Sequence, residues 1–218
     1  MTPASMLLDL FAPPRCLSCR GRGPLPWCAA CAERVRHLPE GCRRCAAPRG
    51  AAHACWPPDA PIHATVAAFD YRGPVAAAVV TAKVAGARAG WPALARALGE
   101  RMRDVEVDAD VVTWVTTPAA RVRTRGVDHA QVLATEVARA VDLPCIALLE
   151  ARPGGADRDW YRARRELPGT HVLLVDDVVT TGATAWRAAD CLRRAGAGRV
   201  ELAVLARAGT HPLGAVSR

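Results

Sequence analysis

A single lysine, Lys83, stands among the 29 basic residues of this 218-residue chain; the other 28 are arginines. Aromatic residues are also scarce, 5% of the total, so alanine and the aliphatic side chains must fill the core that a 51% apolar content supports. No run of 18 uncharged apolar residues occurs, so no membrane insertion is expected. Met1 to Asp9 lacks a basic n-region, and its apolar stretch is too short for a secretory signal. These absences predict a cytoplasmic protein. Scarcity of lysine is what a GC-rich coding bias produces, and under that bias the surviving Lys83 is informative. It is either an accidental surface residue or a compact point charge that arginine cannot replace. The formal net charge of +8 attracts polyanions, which fits nucleic acid and phosphorylated small molecules equally.

Cysteine, by contrast, is concentrated. Seven of the nine cysteines lie between Cys16 and Cys55, the others being Cys145 and Cys191, which read as buried apolar fillers. Cys16 and Cys19, then Cys28 and Cys31, form two Cys-x-x-Cys pairs that supply the four thiolates of one tetrahedral zinc. A second ion has an incomplete thiolate set, Cys42, Cys45 and Cys55, with His53 as the nearest fourth ligand; leftover ligands of a decayed site are the alternative. The surrounding segment is rich in Pro, Gly and Arg and could hardly fold without a metal. It is expected to be a unit of its own, residues 1–58, joined through the stiff Pro57–Pro61 stretch to a domain spanning 62–218.

In that domain, strand-like and helix-like stretches alternate. His63–Tyr71, Val111–Val115, Pro144–Leu149, Val172–Val175 and Val200–Leu205 read as strands. Val75–Lys83, Trp91–Arg103, Gln131–Ala140 and Ala185–Ala195 read as helices. Such alternation predicts an α/β fold with a parallel sheet flanked by helices.

One stretch carries chemistry. After the apolar run Val172–Val175, Asp176 and Asp177 stand where the strand should end, followed by Val178 and the small or hydroxylated residues Thr180, Thr181, Gly182, Ala183 and Thr184. Ligands of open α/β sheets bind at the carboxyl ends of strands. A turn that opens a helix offers unpaired N–H groups to a phosphate, and Gly182 would let backbone approach it. The adjacent carboxylates suit ribose hydroxyls or water-held Mg²⁺. Arg121, Arg123 and Arg125 alternate after Thr117-Pro118 and read either as a diphosphate grip or as a solvated loop. His129 reads either as a base or, as a lone histidine at a helix start more often is, as a cap or surface residue. Trp160-Tyr161, among Arg162, Arg164 and Arg165, is the one stretch resembling a single-strand-binding surface.

The Val172–Thr184 stretch resembles the ribose-phosphate-binding signature of type I phosphoribosyltransferases. The cysteine pairs, Phe69–Pro74 through Lys83, and Val115-Thr-Thr-Pro118 through Arg125-Gly126 extend the resemblance over nearly the whole chain to the bacterial ComF-type (competence protein F, GntX-like) family. That resemblance implies an N-terminal zinc finger on a type I phosphoribosyltransferase fold. It implies binding of 5-phosphoribosyl 1-diphosphate with Mg²⁺, and phosphoribosyl transfer in DNA uptake or nucleotide salvage. Asp176 and Asp177 would take the ribose, Thr180 to Thr184 the 5-phosphate with Val178 beside them, and Lys83, Thr116, Thr117, Arg121 and Arg125 the diphosphate side.

The chain departs from the family at Thr116, at Val127-Asp128-His129, and in the segment before Pro168, which lacks the family's Asn-Leu-x-Gly-Ala-Phe stretch. In phosphoribosyltransferases a flexible loop near this position closes over the reacting centre, so its shortening favours binding over turnover. The rival implied by the same resemblance is a non-enzymatic adaptor of the DNA-uptake machinery. It would bind single-stranded DNA and a helicase-type partner.

Overall fold

A computed structural model describes residues 14–38, 41–48, 53, 55–84, 90–118, 122–123, 126–152 and 160–209. In chain order the elements are α1 (Ala29–Ala32), β1 (Ala64–Asp70), α2 (Gly73–Val84), α3 (Gly90–Met102), β2 (Val111–Trp114) and α4 (His129–Val141). They continue with β3 (Leu149–Ala151), β4 (Tyr161–Ala163), β5 (His171–Val179), α5 (Ala183–Arg194) and β6 (Arg199–Arg207). The strands of the central sheet run in the order β1-β6-β5-β2, all parallel. The expected α/β architecture, a parallel sheet with helices against it, is present.

Both faces of this sheet are buried, as parallel sheets require. Val112, Leu173, Val175, Ala203 and Leu205 face α2, α3 and α4, whose Val79, Leu94, Leu98, Leu133 and Val137 pack on them. Within α4, the buried residues 129, 133 and 137 and 130, 134 and 138 recur at helical spacing. Val111, Val172, Leu174, Val200, Leu202 and Val204 face the other way, where α5 supplies Ala185, Ala188, Ala189 and Leu192. One helix does not cover four strands. The rest of that layer comes from the cysteine-rich segment, through Leu38, Cys45, Ala46, Ala47 and Trp56, and from Leu148, Leu149, Tyr161 and Leu167.

The sheet edges are also closed. At β1, Leu38 N–H donates to Ala68 O (3.0 Å), Asp70 N–H to Arg36 O (2.9 Å) and Thr65 N–H to Arg43 O (2.8 Å), so the cysteine-rich segment occupies an edge that would otherwise invite pairing with another chain. At β2, Val112 N–H donates to Pro144 O and Ile146 N–H to Val112 O, both at 2.9 Å. The strand expected over Pro144–Leu149 is therefore a single parallel bridge, Val112 with Cys145. Pro144 has no N–H to give, and Leu149 turns away to open β3, which pairs antiparallel with β4 in a small second sheet. Cys145 is exposed, not a buried filler, whereas Cys191 is buried as expected.

Leu38→Ala tests whether the cysteine-rich segment belongs to this core. A loss of about 2–5 kcal/mol in unfolding free energy, typical of a truncated core leucine, is the expected result. A change below about 0.5 kcal/mol, the range of surface substitutions, would make the segment a tethered appendage.

Candidate functional site

The strand β5 does not stop at its acids. It runs on to Val179, because β6 offers backbone partners along the same length, Asp176 opposite Val204 and Val179 opposite Arg207. Asp176 and Asp177 are thus strand residues, 9% and 6% exposed. Each spends one oxygen on the next backbone N–H: Asp176 Oδ1 accepts from Asp177 N–H (2.8 Å) and Asp177 Oδ1 from Val178 N–H (2.7 Å).

Beyond them lies an open cleft lined by Asp176 and residues 178–185. Gly182 is the N-cap of α5 and carries no capping side chain, with φ +76°. The first turn of the 12-residue helix therefore presents N–H groups and the positive end of the dipole to the cleft. Every signature residue from Val178 to Thr184 lines it. The space a Cβ at Gly182 would fill is taken on one side by the Trp56 ring, whose Cη2 would lie 2.2 Å away. Gly182 is thus required by a tryptophan from the cysteine-rich segment as well as by its left-handed backbone.

Asp177 points away from this cleft. Lys83, in the last turn of α2, brings Nζ to 2.6 Å from Asp177 Oδ2, and His129, at the start of α4, brings Nε2 to 3.1 Å from the same oxygen. His129 is 6% exposed and stacks on Trp91 with ring centroids 4.7 Å apart. The reading of His129 as a cap or surface residue is therefore wrong. The neighbouring Asp128 already supplies the polar contacts at the helix start. Its carboxylate accepts from Trp114 Nε1–H (3.3 Å), Thr117 N–H (3.3 Å) and the Thr117 hydroxyl (3.2 Å). Only burial, which a lone histidine in a sequence does not announce, distinguishes the two roles.

Thr116 donates its hydroxyl to Leu149 O (3.0 Å), so the hydroxyls of Thr116 and Thr117 are both engaged by protein groups. Neither residue lines the cleft, and nor does Lys83. Arg121 and Arg125 lie outside the described residues. The turn before β5 is held at the far end of α5: Leu167 N–H donates to Ala195 O (2.7 Å) and Gly169 N–H to Gly196 O (2.9 Å). A 12-residue helix, about 18 Å, separates it from the cleft. Of the two aromatics suggestive of strand binding, Tyr161 is buried in β4, and Trp160 carries the Arg187 guanidinium 5.1 Å from its ring centroid.

The cysteines form two compact groups. In Cys16, Cys19, Cys28 and Cys31, and again in Cys42, Cys45, His53 and Cys55, the ligand atoms lie within 4.8 Å of one another. The Cys19–Cys28 and Cys42–Cys55 sulfurs are 3.7 and 3.8 Å apart. A zinc–sulfur bond of about 2.3 Å gives a tetrahedral edge of about 3.8 Å, so both groups have the dimensions of a metal site. Each can hold an ion such as zinc, and the second set is as complete as the first. The thiols divide unevenly. In Cys16, backbone N–H donors outweigh the effect of desolvation and bring it down to about 6. Desolvation and the neighbouring thiols push Cys31 up to about 12. Cys42 and Cys45 split the same way, with His53 beside Cys42.

The match that decides the family covers residues 86–213, more than half of the chain, with the phosphoribosyl transferase domain. The chain belongs to the phosphoribosyl transferase domain family. Its parallel sheet, helices and cleft are the type I fold of that family.

Solved structures similar to it include the glutamine phosphoribosylpyrophosphate amidotransferase of B. subtilis complexed with ADP and GMP. That protein is 26% identical, with a TM-score of 0.40, over 52% of this chain and 26% of that one. The purine phosphoribosyltransferase of Pyrococcus horikoshii Ot3 is 20% identical, with a TM-score of 0.38, over 54% and 72%. The adenine phosphoribosyltransferase of Leishmania tarentolae is 15% identical, with a TM-score of 0.38, over 59% and 74%. The chain thus spans about a quarter of the amidotransferase's length. No curated protein matches it.

Within this phosphoribosyl transferase domain the paired acids are electrostatically unequal. Desolvation, then the Asp177 charge, push Asp176 well above the usual carboxylate range. Desolvation also acts on Asp177, but the His129 hydrogen bond and the Lys83 charge outweigh it and hold its carboxyl below that range. The two acids therefore affect stability in opposite senses. Asp176→Asn should raise the melting temperature, and the gain should grow as pH rises above about 4, where an unfolded aspartate ionises and the folded one resists. Asp177→Asn should cost about 1–3 kcal/mol at neutral pH by leaving Lys83 and His129 without their carboxylate. That loss should shrink as pH falls below about 4, since a depressed carboxylate stabilises only above its unfolded pKa. Thermal melts of the three proteins across pH check this; shifts of the same sign would refute it.

The metal makes a separate expectation. Elemental analysis of protein purified without chelators should find zinc, and Cys16→Ser or Cys28→Ser should release the ion of the first set and unfold that part of the chain. Protein that contains no zinc would overturn it.

Proposed function

We propose that this phosphoribosyl transferase domain binds 5-phosphoribosyl 1-diphosphate with Mg²⁺ and transfers its phosphoribosyl group, as a ComF-type protein serving DNA uptake or nucleotide salvage. The observation that carries the reading is the cleft where β5 gives way to α5. One carboxylate, an uncapped helix start and three threonines meet there.

Residues 180–184 take the 5-phosphate through backbone N–H groups and hydroxyls. Asp176 accepts from the ribose hydroxyls. Displacement at the anomeric carbon passes through a cationic sugar, and the Asp176–Asp177 pair stabilises that charge. Lys83, paired with Asp177, stands toward the diphosphate side. Thr116, Thr117, Arg121 and Arg125 stand on the diphosphate side. The two acids also suit Mg²⁺, which when bound neutralises the leaving diphosphate. Zinc in the cysteine sets is structural, and the cytoplasmic setting and the division into 1–58 and 62–218 belong to the same reading.

Calorimetry with 5-phosphoribosyl 1-diphosphate and Mg²⁺ tests it. Wild type should bind. Asp176→Asn should weaken binding by about 1.5–3 kcal/mol, as for a hydrogen bond to a charged group. Gly182→Val should abolish it, because the branched side chain meets Trp56 and resists the positive φ. Equal affinity in all three folded proteins would refute the reading. Turnover is checked by diphosphate release in the presence of nucleobases.

A further inference from the structure

The second cysteine set and the phosphate loop are parts of one packed unit, although the sequence places them at opposite ends of the chain. Cys55 is followed directly by Trp56, which is 2% exposed and lies in the core on the α5 face. The Trp56 ring fits against Gly182: a Cβ there would come within 2.2 Å of Cη2, 2.7 Å of Cζ3 and 3.2 Å of Cζ2. It also packs against Trp186 in the first turn of α5, with ring centroids 6.0 Å apart.

The other side of the ring is held by the cysteine knuckle itself. Trp56 Nε1–H donates to Thr65 Oγ1 (3.0 Å), and that hydroxyl donates to Arg44 O (2.7 Å), between Cys42 and Cys45. Arg44 Nη2 donates to Pro57 O (2.7 Å), fixing the chain on the far side of Trp56. A second strut runs from Cys45 O, which accepts from Arg207 Nε (2.7 Å), to β6, where Arg207 lies opposite Val179, the strand residue leading into the loop.

The first set has no such reach. Its contacts go to the other face, through Ser18 Oγ to Pro74 O (2.6 Å), Trp27 Nε1 to Pro74 O (3.3 Å), and Leu17 against Gly90.

We propose that a metal ion at Cys42, Cys45, His53 and Cys55 sets the conformation of the phosphate loop through Trp56, so that metal occupancy and phosphosugar affinity are coupled. For its ligand the inference rests on the proposed function above. Without the ion, Cys42, Cys45 and Cys55 are no longer held to one point, and the backbone on both sides of Trp56 loses its anchor. The ring then no longer fixes Gly182, and the N–H groups of residues 180–184 no longer converge. Coupling is reciprocal: a ligand in the loop must in turn raise the affinity of this set for its ion. Trp56 is a positioning residue in this scheme, acting on the loop and not on the ligand.

The test uses the full chain. Amide hydrogen exchange of residues 179–185 is measured in zinc-loaded wild type, in Cys55→Ser, in Trp56→Phe and in Trp56→Ala. Zinc content, and calorimetry of 5-phosphoribosyl 1-diphosphate with Mg²⁺, are recorded for each. Cys55→Ser should lose one zinc, accelerate exchange in the loop and weaken binding about tenfold, a typical coupling. Trp56→Ala should keep both ions yet show the same fast loop exchange, while Trp56→Phe, which retains the ring, should fall between it and wild type. Should Cys55→Ser fail to fold, zinc-retaining Trp56→Ala and Trp56→Phe decide the matter. Wild-type exchange and affinity in those two proteins would overturn the coupling. Wild type that binds no phosphoribosyl diphosphate would refute the proposed function, while the exchange comparison would still decide whether the second set controls the loop.

Discussion

Two adjacent carboxylates inside a buried strand cannot both ionise without help, because desolvation and mutual repulsion act on each. Much of the arrangement around the cleft answers that constraint. The chain turns its only lysine and a buried histidine onto Asp177, from α2 and α4 respectively, and so satisfies one charge on the face where three helices pack. Asp176 is left on the other face, beside the open start of α5. One acid is thereby paired within the protein and the other faces the cleft.

The second constraint is geometric. A parallel sheet needs cover on both faces and along both edges. Here α5 alone covers one face among the described helices, and the cysteine-rich segment, with Leu148, Leu149, Tyr161 and Leu167, supplies further cover and closes the β1 edge. A segment too short of apolar residues to fold alone can do this if metal ligation fixes its backbone, after which Leu38, Ala47 and Trp56 are delivered to a core built by others. The cysteine-rich segment and the sheet are therefore packed together, with Trp56, next to Cys55, lying against Gly182.

Much of this was legible in the sequence. The apolar runs at Val111–Val115, Val172–Val175 and Val200–Leu205 name their strands because both faces of a parallel strand are buried. The spacing of Leu133 and Val137 names the face of α4 that packs on the sheet. The Cys-x-x-Cys pairs name their chemistry because two thiolates at that spacing meet one ion. The hairpin of β3 and β4 was not legible: its strands are three residues each, too short for a periodicity to register.

By itself the sequence determined the α/β class, the order of the main strands and helices, the cysteine groups, and the stretch that lines the cleft. Each of these depends on residues close together in the chain. Only the tertiary structure decided that Asp176 and Asp177 face opposite sides, that His129 is buried against one of them, and that the second cysteine set is complete. It alone decided that Gly182 is small because Trp56 lies against it. These are contacts between segments distant in sequence. Local propensity and spacing carry no information about them, because burial and charge pairing are set by what the folded chain brings alongside.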